Sequence, residues 1–318
     1  MSFDLSLVAP VYNEEDNLVP LYEKVVEALE PEGLSFELIL VDDGSQDRSL
    51  QRLRELVDSD PRVVAVELRR NFGQTAAMAA GMDVARGEFV VTLDADLQND
   101  PADIPELLAR AREGYDVVSG WRKNRQDHFL SRTLPSKLAN RLISGITGTR
   151  LNDYGCTLKV YRREALEGLN LYGEMHRFLP ALVARRGAKI VEMPVNHHPR
   201  MYGESKYGLG RTLKVILDLL TVKFLIDFST KPIYVFGGFG MFLLGAGLLS
   251  AGLMIYAKLV HGISMILTPL PNLSAMLVIL GMQSVGLGLL AELIIRTYHE
   301  SQDKKIYVVR NLYQQQES

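Results

Sequence analysis

Cysteine and tryptophan occur once each, as Cys156 and Trp121. A lone cysteine cannot close an internal disulfide, so the chain is not a disulfide-stapled scaffold, and it fits a reducing compartment. The six histidines form no cluster at zinc-ligand spacing. Neither Gly-x-x-x-x-Gly-Lys-Ser/Thr nor Gly-x-Gly-x-x-Gly follows the first strand-like run, which excludes the P-loop and the dinucleotide fingerprint. An excess of basic charge is missing as well. With 35 Lys and Arg against 38 Asp and Glu the net charge is −3, and nothing argues for nucleic-acid binding. The composition, 47% hydrophobic and 23% charged, excludes a disordered or collagen-like chain.

Charge is absent above all from one stretch. Between Pro232 and Ala291, sixty residues, the only charged side chain is Lys258. Two apolar runs fill it, Ile233–Ala257 and Leu273–Ile295. Each corresponds to about 35 Å of helix at 1.5 Å per residue, enough to cross a ~30 Å hydrocarbon core. Their recurrent glycines, among them Gly240, Gly247 and Gly281, weaken a soluble helix but allow close packing in a membrane. A buried hairpin in a soluble core is the alternative, but two such runs exceed what a domain of this size can bury. The link between them, Lys258–Asn272, carries Pro269 and Pro271 and reads as a turn. Lys206, Arg211, Lys214, Lys223 and Lys231 precede the first run, and Arg296, Lys304, Lys305 and Arg310 follow the second. The positive-inside rule then predicts an integral protein of the inner (plasma) membrane with both termini and the soluble part cytoplasmic. No signal peptide is expected at the N-terminus.

The remainder alternates strand-like and helical patterns. Strands are predicted at Leu5–Val11, Phe36–Val41, Val63–Leu68, Phe89–Leu93 and Asp116–Ser119. Helices are predicted at Glu14–Leu29, Gln46–Val57, Gln74–Ala85 and Asp103–Glu113. This order implies an α/β domain with a mainly parallel sheet, whose ligands bind beyond the carboxyl ends of the strands. Polar clusters stand at those ends: Pro10–Glu14, Asp42–Ser45, Arg69–Asn71, Asp94–Gln98 and Gly120–Arg122. Asp94 and Asp96 fall on one side of an extended segment with Gln98 two residues on. These oxygen ligands suit a hard divalent cation such as Mg²⁺ or Mn²⁺. Alone, Asp-x-Asp is usually a solvated turn; its place at a strand end, with Asp42-Asp43 at another, makes it a candidate site.

Val8-Ala9-Pro10-Val11-Tyr12-Asn13-Glu14-Glu15, Val41-Asp42-Asp43-Gly44-Ser45, Arg70-Asn71-Phe72-Gly73 and Leu93-Asp94-Ala95-Asp96-Leu97-Gln98 resemble the family 2 inverting glycosyltransferases of GT-A fold. Asn152-Asp153-Tyr154-Gly155-Cys156 and Gly203-Glu204-Ser205-Lys206 narrow the likeness to the polyisoprenyl-phosphate glycosyltransferases. The resemblance implies a GT-A catalytic domain over 1–208, interfacial amphipathic helices over 209–231, two transmembrane helices over 232–298 and a cytoplasmic tail over 299–318. It implies that Pro10, Tyr12, Asn13 and Glu14 line the base and ribose of a nucleotide sugar, and that Asp42 contacts a uracil-type base. Asp43, Ser45 and Asn71 join that nucleotide set. Asp94 would meet the ribose or sugar, and Asp96 and Gln98 would hold the metal. Arg122, Arg200 and Lys206 would meet phosphate oxygens, and Asp153 is the candidate base. Arg200 and Lys206 also fit a juxtamembrane face that attracts anionic lipid.

The reaction so implied moves one sugar, with glucose from UDP-glucose favoured, onto a polyprenyl phosphate. A 4-amino-4-deoxy-arabinose type sugar, mannose and GlcNAc are the alternatives. A processive synthase would carry Gln-x-x-Arg-Trp, which is absent, since Trp121 follows Gly120. A non-catalytic nucleotide-binding or lipid-translocating protein is the reading from another class. A homo-oligomer is compatible with the glycine-rich spans. Lys123–Arg141 reads as a basic loop and helix, solvated or closing over the substrates. The tail Ile306–Tyr313 either adds a strand to another subunit or folds back.

Overall fold

The computed structural model describes residues 3–123, 140–141, 143–145, 147–169, 171, 175–199, 233–262, 264, 268–301 and 306–315. They fall into two compact units, Met1–Val222 with Lys305–Ser318, and Lys223–Lys304. Arg200, Lys206, the Gly203–Lys206 motif, the expected amphipathic helix Leu209–Phe228 and most of the basic segment after Lys123 lie outside the described residues.

The first unit opens with β1 (Leu5–Val11), α1 (Leu18–Leu29), β2 (Phe36–Asp42), α2 (Ser49–Ser59), β3 (Val63–Leu68), α3 (Gln74–Val84) and β4 (Phe89–Thr92). Then come α4 (Ile104–Arg112), β5 (Val117–Trp121), β6 (Lys159–Arg162), the short α5 (Arg163–Leu166), α6 (Leu179–Arg185) and β7 (Ile190–Pro194). Three-residue and four-residue 3-10 turns, Pro101–Asp103 and Met175–Phe178, precede α4 and α6. The strands are runs of valine, leucine and isoleucine, and β1 to β3 are buried almost throughout. Such two-sided burial is what a parallel sheet covered by helices requires.

With a last strand, β8 (Val309–Tyr313), one eight-stranded sheet results, in the order β7-β5-β6-β4-β1-β2-β3-β8. Strands β1 to β4 pair in parallel, as do β5 and β7; β6 runs antiparallel to both β4 and β5. The chain therefore passes from β1 outward to β3 and returns to place β4 on the other side of β1. That reversal is the switch point where open α/β sheets bind ligands. Because β6 runs backwards, the residues that enter it, Asp153 to Leu158, reach the same edge as the carboxyl ends of β4 and β5. Strand β8 pairs antiparallel with β3. The tail thus folds back on its own chain, the second of the two expected arrangements.

Predicted and observed strands agree to within two residues. Helices α1 and α2 begin later than their patterns do, at Leu18 and Ser49. The polar residues before them are used instead to join two loops, as described below. Strand β6 was not foreseen.

The second unit is a pair of helices, α7 (Ile233–His261) and α8 (Leu270–Ser301). The spans run further than expected, so Lys258–His261 is still helical and Pro271 sits in the first turn of α8, where its missing N–H costs nothing. Gly240 lies against the backbone of α8, where an added Cβ would stand 2.7 Å from the Gly281 oxygen. Gly247 faces Val278 in the same way, and the Ser284 hydroxyl donates to the Phe236 carbonyl at 2.7 Å. Val235–His261 and Leu270–Ala291 are long and apolar enough to cross a membrane, and in the most apolar part of each only 17% and 22% of the residues are buried. So large an outward apolar surface does not fit a soluble core hairpin and marks both as candidate membrane spans. The side chain of Glu292 lies outside the described residues.

Candidate active site

The β1 and β2 ends are built as one body. Asn13 has φ +54°, a left-handed conformation that asparagine tolerates. Its N–H donates to Ser45 Oγ at 3.0 Å, and its side-chain oxygen accepts from the Gln46 N–H at 2.8 Å. The Glu14 N–H donates to Ser49 Oγ at 2.9 Å, and Glu14 Oε2 accepts from Asn17 at 2.6 Å. Pro10, Tyr12, Asn13 and Glu14 are each part-exposed at this edge, and Asn71 is exposed.

Asp42 and Asp43 differ in employment. Asp42 is buried at the end of β2 and accepts the Ser45 N–H at 3.2 Å. Burial pushes its carboxyl up, partly offset by Ser45. Asp43 turns the other way and accepts the N–H groups of Phe72 at 2.7 Å and Gly73 at 2.9 Å. It thereby anchors the loop that starts α3. Gly44 passes so close to that loop that a Cβ would stand 2.6 Å from the backbone of Arg70 and Asn71, and its φ is +71°. Only glycine fits there.

At β4, Asp94 is gripped on both oxygens. Gln74 donates to Oδ1 at 2.7 Å and Thr157 to Oδ2 at 2.7 Å. Burial, then the charge of Asp96, pushes the Asp94 carboxyl up to about 6. Asp96 is 8% exposed and accepts the Gln98 N–H at 3.2 Å across Leu97, whose φ is +60°. The Asp96 charge disfavours ionisation of Asp94, an effect that a cation joining the two would relieve. Among the described residues no three acidic, histidine or cysteine side chains form a closed cage. The donor set is therefore an open one of hard oxygens, which suits a Mg²⁺ or Mn²⁺ that takes its remaining ligands from a substrate.

Arg122, one residue past β5, forms a fork with Asp153 at 2.7 and 3.0 Å, and its N–H adds a third contact to the same carboxylate at 3.3 Å. The pair is largely buried, with side-chain exposures of 17% and 3%. Burial opposes the Arg122 charge, and Asp153 more than restores it, raising the guanidinium above its usual value. Arg122 and Asp94 act on one another electrostatically, which joins this pair to the acidic pair. The Asp153 carboxylate also accepts the Gly155 N–H at 3.1 Å. Both Asp153 oxygens are thus engaged, chiefly by Arg122.

Sequence reasoning missed Gln74, Thr157 and the turn Met175–Phe178. His176 of that turn is hydrogen-bonded to Thr75 at 2.6 Å, and the Arg177 charge acts on Asp94. Gln74 follows Arg70–Gly73 directly and Thr157 follows Asp153–Cys156, so proximity to the motifs was the available signal. Cys156 is fully buried, and burial pushes its thiol up. It is inert packing. The His198 imidazole meets Asp100 at 2.8 Å.

A family model described as Glycosyl transferase family 2 matches residues 6–169, which contain every one of these strand-end clusters. Dodecaprenyl-phosphate galacturonate synthase of Rhizobium johnstonii is 44% identical over 99% of this chain and 94% of its own length. Undecaprenyl-phosphate 4-deoxy-4-formamido-L-arabinose transferase of Edwardsiella ictaluri is 40% identical over 97% of this chain and 94% of its own. Among solved structures, glucosyl-3-phosphoglycerate synthase of Mycobacterium tuberculosis, in complex with Mn²⁺ and UDP-glucose, superimposes with a TM-score of 0.53 at 21% identity, covering 70% of this chain and 79% of that one. Mannosyl-3-phosphoglycerate synthase of Rubrobacter xylanophilus does so with a TM-score of 0.56 at 16% identity, covering 70% and 74%. These two share the GT-A fold. A switch-point site of this make-up, matched by the family over half the chain and by relatives over nearly all of it, makes the protein a glycosyltransferase that belongs to glycosyl transferase family 2.

Proposed function

We propose that the protein transfers one sugar from a nucleoside-diphosphate sugar to a polyprenyl monophosphate, inverting the anomeric carbon. The observation that carries this reading is the likeness along 97–99% of the chain, apolar helices included, to transferases named for a polyprenyl-phosphate acceptor. The sugar is a separate matter. Glucose is the expectation from the motifs, but these relatives are named for galacturonate and formamido-arabinose. At 44% identity the galacturonate relative supports UDP-galacturonic acid as the preferred donor.

Tyr12, Asn13, Asp42 and Ser45 would receive the nucleoside, in the rigid pair of loops at the β1 and β2 ends. Asp96 and Gln98, with Asp94 beside them, would hold Mg²⁺ or Mn²⁺. A bound ion of this kind supplies positive charge to a departing diphosphate. Arg122, held by Asp153, would meet the same charge, since arginine's planar fork suits phosphate oxygens. Arg200 and Lys206 are proposed for the acceptor phosphate. A phosphate monoester has a second pKa near ~6 and is largely dianionic at pH 7. It needs orientation more than deprotonation, which agrees with an Asp153 already committed to Arg122. The apolar helices would keep the protein where a lipid acceptor resides, with both termini on the cytoplasmic side of the inner membrane.

The test is transfer of radiolabel into organic-extractable lipid by the purified full chain with undecaprenyl phosphate. UDP-galacturonic acid, UDP-4-formamido-arabinose and UDP-glucose are offered in turn. One donor should be used far better than the others; no transfer from any would sink the reading. Asp96→Ala should abolish metal-dependent transfer, and undiminished transfer in excess chelator would remove the metal assignment.

A further inference from the structure

The segment after β7, Val195 to Pro199, crosses directly over the loop that carries Asp96 and Gln98. The His198 N–H donates to the Gln98 carbonyl at 2.9 Å, and His197 pairs with Asn99 as an isolated antiparallel bridge. Asn196 seats on Asp103 twice, its N–H at 2.7 Å from Oδ2 and its side-chain amide at 2.8 Å from Oδ1. The His198 imidazole closes on Asp100 at 2.8 Å, and Asp100 also accepts the Ala102 N–H at 3.1 Å. The loop is thus tied at Gln98, at Asn99 and at both ends of the Pro101–Asp103 turn.

The loop needs a restraint. Leu97, between the two oxygen ligands assigned above, has φ +60°, a region that a branched apolar side chain seldom adopts. Strained backbone of this kind persists only where its surroundings over-determine it. Leu97 itself is buried in the core beside Leu93 and Ala95, which fixes one side of the loop. The crossing segment fixes the other.

We propose that Asn196 and His198 are positioning residues for the metal-binding loop: through Asp103, Asp100 and the Gln98 main chain, they set where Asp96 and Gln98 present their oxygens. The proposal rests on the reading of Asp96 and Gln98 as metal ligands.

Mn²⁺ binding to the full-length protein, titrated in saturating UDP and followed by loss of the free-ion electron paramagnetic resonance signal, separates the two readings. The double variant Asn196→Ala/His198→Ala should bind Mn²⁺ about 10-fold more weakly, as is usual when groups supporting a metal ligand are lost. Its kcat should recover in excess Mn²⁺, with the donor KM then unchanged. His198→Gln, which keeps a donor toward Asp100, should restore most of the affinity that His198→Ala loses, and these single variants serve if the double variant does not fold. Wild-type Mn²⁺ affinity in folded Asn196→Ala and His198→Ala proteins would overturn the positioning role. Asp96→Ala is the control for the underlying reading. If it binds Mn²⁺ as the wild type does, the metal site itself is misassigned and the proposal falls with it.

Discussion

Replacing Asp153 with asparagine removes one charge from a fork whose other member, Arg122, is mostly buried. Breaking a buried pair from one side commonly costs about 3–5 kcal/mol, because the remaining charge loses its compensation. Asp153→Asn should therefore lower both thermal stability and turnover. Arg122→Gln should lower turnover to a similar extent. If Asp153 acts through Arg122, the two losses will not add in the double variant. A double variant slower by the product of both losses would show that Asp153 has a separate chemical role. The motif around Asp153 was legible in the sequence, but its partner was not. A carboxylate in a family motif does not show which cation it will meet, and here that cation is Arg122, 31 positions away. Asp42 and Asp43 teach the same point, for adjacent residues of one kind were grouped together. The alternation of an extended chain sends one toward the Ser45 turn and the other toward the start of α3.

Among elements, the tail strand β8 has the largest consequence. It covers the β3 edge, and Tyr307 just before it is buried in the core beneath α3. Glu67 on β3 collects the Tyr313 hydroxyl at 2.8 Å, the Asn311 amide at 2.9 Å and Arg310 at 3.2 Å. Burial acts to raise the Glu67 carboxyl, and these three donors override it and hold the group below its usual range. A depressed folded value means a contribution that is complete above the unfolded value of ~4.3 and is lost as pH falls through the folded one. Glu67→Gln should thus lower the unfolding temperature at pH 7, with the gap closing below about pH 4. A gap independent of pH would mean that the tail is held by packing alone. Glu67 also neighbours Asp42 in the β2–β3 register, so the tail stands one strand away from the proposed base-reading carboxylate. The period of β8 was readable from Ile306–Tyr313, but whether it would pair at home or abroad was not, because an edge strand fits any open edge.

The whole molecule combines a two-sided α/β sheet with a helix pair whose apolar faces point outward. The proposed topology puts both termini on one side of the bilayer and the turn between α7 and α8 on the other. Cys156 is fully buried, so a membrane-impermeant maleimide has no exposed native thiol to label among the described residues. Cysteine introduced at Ser264 should react in right-side-out vesicles, and cysteine at Gln314 only in inverted ones. The reverse pattern would overturn the cytoplasmic assignment.

The amino-acid sequence alone determined the two classes of segment and the polar clusters that stand at one edge of the sheet. Burial demands its own pattern: apolar β-branched runs, amphipathic helices and charge-free spans can be recognised one segment at a time. The clusters at strand ends could be read for the same reason, since a polar residue beside a buried run has to be at an exit from the core. Tertiary structure alone decided how those clusters are shared out. Strand β6 enters against the others and brings Asp153 and Thr157 to Arg122 and Asp94, β7 hands its exit segment to the loop of Asp96 and Gln98, and β8 returns across the length of the chain to Glu67. These are pairings between residues tens to hundreds of positions apart. They depend on strand order and direction, which no local periodicity encodes.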